Sequence, residues 1–281
     1  MNHQKRILAI NDISCFGKCS LTVAIPILSA AGLETCPLPT AVLSAHTAFS
    51  GFTFRDLTED MLPQANHWHE MALSFQGIYS GYLGSIRQVA YVEKIVDMFP
   101  CDFVLVDPVM GDNGKLYAGF DESFAVEMKR LLSRADVAVP NVTEACCLSG
   151  VAYEDGIHSK DYLETILHKL TACTKGNLVI TGVHTAKDTL GTAVFVNNQL
   201  SVIERQKCHV SYSGTGDVFA STLAAAILNG RSLADAAEMA SDFVIDCIDA
   251  TIRTSGDRNY GVNFELCMES LLQKLHPMKK S

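Results

Sequence analysis

The sequence predicts an α/β protein in three layers, αβα, with a central and mostly parallel sheet covered by helices on both faces. Short apolar runs recur along the first two thirds of the chain, as strands buried on both faces require. Stretches of helical pattern separate them, and such βαβ alternation yields a parallel sheet with helices on either side. The chain is 281 residues long, 48% apolar and 19% charged, ample for one sizeable core.

Strands are expected at about 6–13 (RILAINDI), 36–43 (CPLPTAVL), 77–83 (GIYSGYL), 103–110 (FVLVDPVM), 136–140 (DVAVP) and 177–183 (NLVITGV). Helices are expected between them, near 18–31, 61–75, 85–99, 121–133, 143–149 and 159–173. After residue 184 the pattern changes. TAVFVNNQLSVIERQ reads as an antiparallel hairpin turning at Asn197 and Asn198, although Asn-Gln is a weaker turn signal than Asn-Gly. Helices follow at 215–229, 232–252 and 262–275. No linker, repeat or low-complexity segment interrupts the chain, so residues 1–281 are read as a single domain.

The net charge of −9 and the pI near 5.4 argue against nucleic acid, whose phosphates need a basic surface. The longest nearly apolar run, VAIPILSAAGL, falls short of the ~20 residues that a bilayer demands. Lys5 and Arg6 precede only a short ILAI, which Asn11 and Asp12 end, so no signal peptide forms. The expected location is the cytoplasm. Ten cysteines without framework spacing fit that compartment. The HWHE stretch at 67–70 is a metal candidate, but two histidines and a carboxylate without further ligands more often mark an exposed helix turn.

Ligands of such sheets bind beyond the carboxyl ends of the strands. The polar residues collected there are Asn11 and Asp12, Thr40 with SAHTAF, Ser80 to Tyr82, Asp107 to Asp112, Asn141 with Glu144, and Thr181 with Gly182. Each has a plain structural alternative: Asp107 before Pro108 can be a turn residue, and Asn141 can cap a helix. Together they form a ring of polar groups that packing alone does not require.

SYSGTGDVFAST (211–222) raises the sharpest chemical question. A Gly-Thr-Gly turn entering a helix presents backbone N–H groups outward, reinforced by the helix dipole, and so makes an anion hole. Glycine there admits a phosphate close to the backbone and tolerates positive φ. Asp217, in the first turn beside the hole, is placed to take a proton from a hydroxyl that attacks a phosphoryl group. The competing reading is an acid that merely favours a helix N-terminus, and the GTGD string alone leaves both open. GxxxxGK[ST] is absent, and no GxGxxG follows the first strand.

GTGDVFA, with DPVMGDNGKLY (107–117), PNVTEA (140–145) and SGYLGS (80–85), resembles the vitamin-kinase branch of the ribokinase-like superfamily, and most of all the pyridoxal kinases. LSAHTAF (43–49) resembles their substrate-side loop. The motifs stand in family order from residue 10 to beyond 217, so the resemblance covers nearly the whole chain. It implies a ribokinase-like fold and transfer of the γ-phosphoryl group of ATP to the 5′-hydroxymethyl of a B6 vitamer: pyridoxal, pyridoxine or pyridoxamine. By this resemblance Asp217 is the general base, and Gly214, Thr215 and Gly216 form the anion hole. Asp112 matches an acid beside the phosphates and metal. Asn141 and Glu144 match residues that place Mg²⁺ through water, and Thr181 and Thr215 match nucleotide contacts. Tyr117 matches a tyrosine lining the phosphate region, while Thr47 and Tyr82 match substrate-pocket positions. Relatives also use a monovalent cation, usually K⁺, near the anion hole and are commonly homodimers. The sheet-edge segments 36–54 are the expected interface.

Two features set this chain apart within the branch. Asp12 stands where many pyridoxal kinases carry a serine against the polar edge of the pyridine ring, and a carboxylate reads a ring N–H⁺ or hydroxyl differently. Hydroxymethylpyrimidine kinases carry a motif closer to GTGC, so the aspartate of GTGD points to the pyridoxal kinase group. The alternatives are a hydroxymethylpyrimidine-type or other small-alcohol kinase on this fold, and a catalytically silent vitamin- or nucleotide-binding regulator. An intact base and anion hole argue against the silent binder.

Overall fold

The computed structural model describes residues 4–208, 210–254 and 257–275. In chain order the first elements are β1 (Arg6–Ser14), α1 (Leu21–Ala30), β2 (Glu34–Leu43), β3 (Phe54–Asp56), α2 (Thr58–Glu70) and β4 (Gly77–Ser80). Next come α3 (Ile86–Met98), β5 (Phe103–Val106), β6 (Gly111–Asp112), β7 (Lys115–Leu116), α4 (Glu122–Leu132) and β8 (Val137–Ala138). They are followed by α5 (Val142–Ser149), α6 (Lys160–Leu170), β9 (Leu178–Val183), β10 (Thr189–Val196) and β11 (Gln199–Gln206). The last are α7 (Thr215–Leu228), α8 (Leu233–Arg253) and α9 (Met268–Leu275).

The chain forms two compact units, one of Met1–Leu57 with Cys208–Ser281 and the other of Thr58–Lys207. In the first, β1 pairs parallel with β2, and β2 carries β3 antiparallel at its edge. β1 reads RILAINDIS because Ile7 to Ile10 are wholly buried. A register shift between Asn11 and Ile13 interrupts the β1–β2 ladder. Such an irregularity re-aims side chains, and it lies where Asn11 and Asp12 are both buried in succession. Helix α7 is buried almost throughout, and its alanines let α1 and α8 pack closely on it.

In the second unit β4, β5, β8 and β9 pair in parallel, and β10 and β11 extend the sheet antiparallel. The helices begin where the sequence supplies a cap. Ser85, Asp121 and Ser159 accept the amides of Gln88, Phe124 and Tyr162 at 3.2, 3.1 and 3.1 Å. Both units are of the α/β class that the alternation predicts.

The differences from the sequence reading are local. The strand expected over 103–110 ends at Val106, because Pro108 has no N–H to donate to a ladder. The strand expected over 77–83 ends at Ser80. The helix expected from residue 18 starts at Leu21, and residues 15–20 form a loop. Edge strand β3 and the β6–β7 hairpin are additional to the predicted elements. The β10–β11 hairpin turns at Asn197 and Asn198 as predicted, with φ of 53° and 61°.

That turn yields a first prediction. Left-handed backbone costs an ordinary L-residue about 1–2 kcal/mol. Asn198→Val should therefore destabilise the protein by about that amount, whereas Asn198→Gly should leave thermal stability unchanged or raised, as read by calorimetry. Equal melting temperatures for the two variants would contradict the left-handed turn.

Candidate active site

In the first unit the site is built around Asp217, in the first turn of α7. Gly214 caps this helix with φ of 77°, and a Cβ there would lie 1.8 Å from the Lys18 carbonyl oxygen. No side chain fits. The turn therefore seats against loop 15–20 through backbone, and the first amides of α7 have no carbonyl partner within the helix. Gly216 differs: its φ lies outside the left-handed range, and a Cβ would meet nothing within 4 Å. The possibility raised by the sequence, that Gly216 needs a glycine-only backbone, is thus corrected. Gly214 carries that requirement. Thr215, between them, donates its hydroxyl to the Tyr212 carbonyl at 3.3 Å.

Asp217 is half-buried. Burial pushes its carboxyl up to about 6, and the neighbouring Asp12 charge adds to the rise. The Ser20 amide and the Asn11 side chain work against it by donating to the carboxylate, the latter at 3.3 Å. Asp12 is 5% exposed, and burial raises its carboxyl also. Hydroxyls of Ser20 and Ser14 donate to it, Ser14 at 2.9 Å, and the His46 imidazole lies near. The Cys19 thiol beside both acids is pushed up to about 12, chiefly by burial, and stays neutral. Thr47 stands exposed in the turn after β2, next to a buried His46. The His46 Nδ1 accepts from the Ala48 amide at 3.3 Å, so Nε2 carries the proton toward the Asn259 carbonyl at 2.7 Å.

In the second unit the DPVMGDNGKLY segment folds into the β6–β7 hairpin, turned by Asn113 and Gly114 at φ of 51° and 73°. Asn141 and Glu144 form a capping box at the start of α5. The Glu144 carboxylate accepts the Asn141 amide at 2.8 Å and the Met110 amide at 3.0 Å, while the Asn141 side chain donates to the Gly111 carbonyl at 2.8 Å. The pair thus staples the hairpin base to the helix. Burial raises the Glu144 carboxyl well above the ordinary range, against the amides that hold it ionised, and Asp112 adds repulsion. Asp112 is exposed and accepts from both the amide and the side chain of Asn113.

Thr181 reaches the same corner through a parallel bridge to Asn141. Tyr117, 46% exposed, is tied to the hairpin base by its amide to the Met110 carbonyl at 2.9 Å. Tyr82 is half-buried, its ring 5.9 Å from Phe120 in an edge-on contact. The structure therefore brings Asp12, Asp217 and the 214–216 turn together in one unit, and Asp112, Tyr117, Asn141, Glu144 and Thr181 together in the other. Sequence reasoning missed Ser14 and Ser20, because their role depends on a strand irregularity and an unusual backbone angle.

Among the described residues no group of three or more His, Cys, Asp or Glu is placed to hold a metal by itself. His67 and His69 are exposed at the end of α2. Asp112 with Glu144 is the donor set that suits Mg²⁺, which takes one or two carboxylates and completes its shell with water and phosphate oxygens.

Two predictions follow from this geometry. Gly214→Ala should lower the melting temperature clearly, and Gly216→Ala should leave it near wild type. Equal melting temperatures would contradict the seat of the turn on Lys18. For Asp217, a folded value above the unfolded one means that the ionised carboxylate costs stability at high pH, and the cost disappears as pH falls. Asp217→Asn should thus be more stable than wild type above about pH 6, with the gain fading toward 3.8. A gain that instead grew on acidification would reverse the assigned sign.

The chain matches the family model described as phosphomethylpyrimidine kinase over residues 28–262. It is similar to a protein of Bacteroides thetaiotaomicron assigned to the phosphomethylpyrimidine kinases, in a crystal form with pyridoxal, at 34% identity and a TM-score of 0.87. That likeness covers 99% of this chain and 98% of the other. Pyridoxal kinase from Lactobacillus plantarum is 30% identical with a TM-score of 0.90, covering 98% of this chain and 99% of that one. The pyridoxal kinase of Dictyostelium discoideum is 25% identical over 236 residues, 78% of this chain and 77% of the relative. With its site built on a ribokinase-like α/β fold and the family model spanning most of its length, the chain belongs to the phosphomethylpyrimidine kinase family.

Proposed function

We propose that this protein is an ATP-dependent kinase of B6 vitamers, phosphorylating the 5′-hydroxymethyl group of pyridoxal, pyridoxine or pyridoxamine. One observation carries the chemistry: a carboxyl raised to about 6 stands in the first turn of a helix whose entry admits no side chain. A base near 6 is ionised at neutral pH yet still accepts a proton usefully in the transition state. Asp217 takes the proton of the attacking hydroxyl, and the amides of Gly214 to Gly216 receive the charge of the transferring phosphoryl group.

Asp112, Tyr117, Asn141, Glu144, Thr181 and Thr215 hold the nucleotide. Asp112 and Glu144 hold Mg²⁺ through water, and the metal when bound neutralises phosphate charge. A monovalent cation such as K⁺ near the anion hole, a homodimeric state and a cytoplasmic location complete the reading. Ten free cysteines support the location, and no helix among the described residues is long and apolar enough to cross a membrane.

The choice of vitamer over pyrimidine rests on Asp12. A buried carboxylate is costly unless a donor meets it, and a protonated ring nitrogen or phenolic hydroxyl supplies one. Relatives support the choice, since the Lactobacillus plantarum structure is of a pyridoxal kinase and the Bacteroides thetaiotaomicron crystal form contains pyridoxal. The second reading, a hydroxymethylpyrimidine kinase, is favoured by the description of the family model. ADP release measured with Mg²⁺, K⁺ and ATP across the three vitamers and hydroxymethylpyrimidine separates the two. We expect a vitamer to have the highest kcat/KM. A preference for hydroxymethylpyrimidine moves the assignment to the second reading, and no turnover on any alcohol leaves a binding protein.

Asp217→Asn should fold, bind MgATP and lose roughly 10²- to 10⁴-fold in kcat. In wild type kcat/KM should rise with pH through about 6, as the base ionises. A variant with near wild-type kcat would remove Asp217 from the mechanism.

A further inference from the structure

The β6–β7 hairpin is too short to hold itself. Only two ladder pairs, Gly111 with Leu116 and Asp112 with Lys115, join its arms, and a lone hairpin is marginal in water. Yet it carries Asp112, so neighbouring elements must fix it. Asn141 and Glu144 staple its base. The tip has a fastening of its own. There the Gly114 amide donates to the hydroxyl of Thr143, in the first turn of α5, at 2.9 Å. Gly114 has φ of 73°, and a Cβ on it would lie 2.7 and 2.8 Å from Cδ1 and Cε1 of Tyr153. The tyrosine ring thus lies directly on the turn, where any side chain would stand.

Tyr153 belongs to segment 151–158, which has no regular structure. Two buried side chains anchor that segment. The Tyr162 hydroxyl, on α6, donates to the Ala152 carbonyl at 3.0 Å and accepts the Glu154 amide at 3.1 Å. Ala152 and Glu154 are exposed, and they are the residues on either side of Tyr153. His158, also buried, accepts the His184 amide on Nδ1 at 3.0 Å, so its Nε2 donates to the Glu154 carbonyl at 3.1 Å. The His158 amide donates to the His184 carbonyl at 2.7 Å, and its ring stacks on Tyr162 with centroids 5.6 Å apart. The backbone is therefore pinned around one aromatic ring that is itself 37% exposed.

We propose that Tyr153 is a positioning residue of the nucleotide site: its ring clamps the tip of the β6–β7 hairpin and so fixes Asp112 between two held glycines. Gly111 is held through its carbonyl by Asn141, and Gly114 by Thr143 and the ring. The contact is made by ring carbons, so the ring does this and the phenolic hydroxyl is dispensable. The role rests on the reading of Asp112 as a residue that holds the nucleotide and Mg²⁺.

Binding of MgADP by titration calorimetry, and amide hydrogen exchange in the free protein, test it on wild type, Tyr153→Phe and Tyr153→Ala. Tyr153→Phe keeps the ring and should match wild type in both. Tyr153→Ala should speed exchange across 111–116 and weaken MgADP about tenfold, the lower end of what losing an outer-shell support costs. Its KM for MgATP should rise alike while its KM for the vitamer stays. Gly114→Ala pushes on the same contact from the other side. It should weaken MgADP in the wild-type background, and by a smaller factor in Tyr153→Ala, where the clash is gone and only the φ strain remains.

A merely structural tyrosine would lower the melting temperature and leave MgADP affinity and local exchange unchanged in the folded protein. That result, or equal losses from Gly114→Ala in the two backgrounds, would overturn the proposal while the kinase assignment stands. A wild type that binds no MgADP would overturn the reading of Asp112 and this role with it.

Discussion

The first unit depends on one close approach, the Gly214 backbone against the Lys18 carbonyl. It fixes where α7 begins, and hence where Asp217 and the first turn of the helix stand. Loop 15–20 is held in turn from its other side. The Lys18 amide donates to the Tyr260 carbonyl at 2.9 Å, and its ammonium pairs with Glu265 at 2.8 Å and Asn263 at 2.7 Å. A loop clamped at both faces can hold Ser20 in a backbone conformation that it would not choose. The chemistry is thus assembled by main-chain contacts rather than by a cluster of catalytic side chains. That suits phosphoryl transfer, where positioning and charge neutralisation matter more than covalent help.

Electrostatics follow from the same clamp. Asp12 and Asp217 stand close together, and the Asp12 charge raises the cost of ionising Asp217. Donors oppose the rise at both acids: serine hydroxyls and its own amide at Asp12, and the Asn11 carboxamide with backbone amides at Asp217. Asp217 is left at about 6, still ionised at neutral pH. In the second unit the corresponding carboxylate, Glu144, does structural work at the base of the β6–β7 hairpin while Asp112 stays exposed. One acid holds the base of the turn, and the other lies at the surface and holds Asn113 at its tip.

Much of this was legible in the sequence because the signals are contiguous. GTGD lies in a single turn, and the Asn141-to-Glu144 spacing is that of a capping box, so its plain structural reading and its place at a strand end are both realised. The alternation of apolar runs found the buried strands. It overshot at 107–110, where the residues stay apolar but Pro108 cannot continue a ladder. Edge strand β3 is exposed throughout, so it carries no burial pattern to read. Strands β6 and β7 have two residues each, too few for any period, and only Asn113-Gly114 marks their turn. Ser14 and Ser20 were illegible for a different reason. Nothing in their local sequence encodes a register shift or a φ of 56°.

The central claim is that Asp217 is a base tuned by burial and by Asp12. Carboxyl titration followed by isotope-edited NMR, on the free protein and on Asp12→Asn, tests it without any substrate. The account predicts a midpoint for Asp217 near 6 in the wild type, moving downward once the neighbouring charge is removed. A midpoint close to the ordinary 3.8, unchanged by Asp12→Asn, would contradict it.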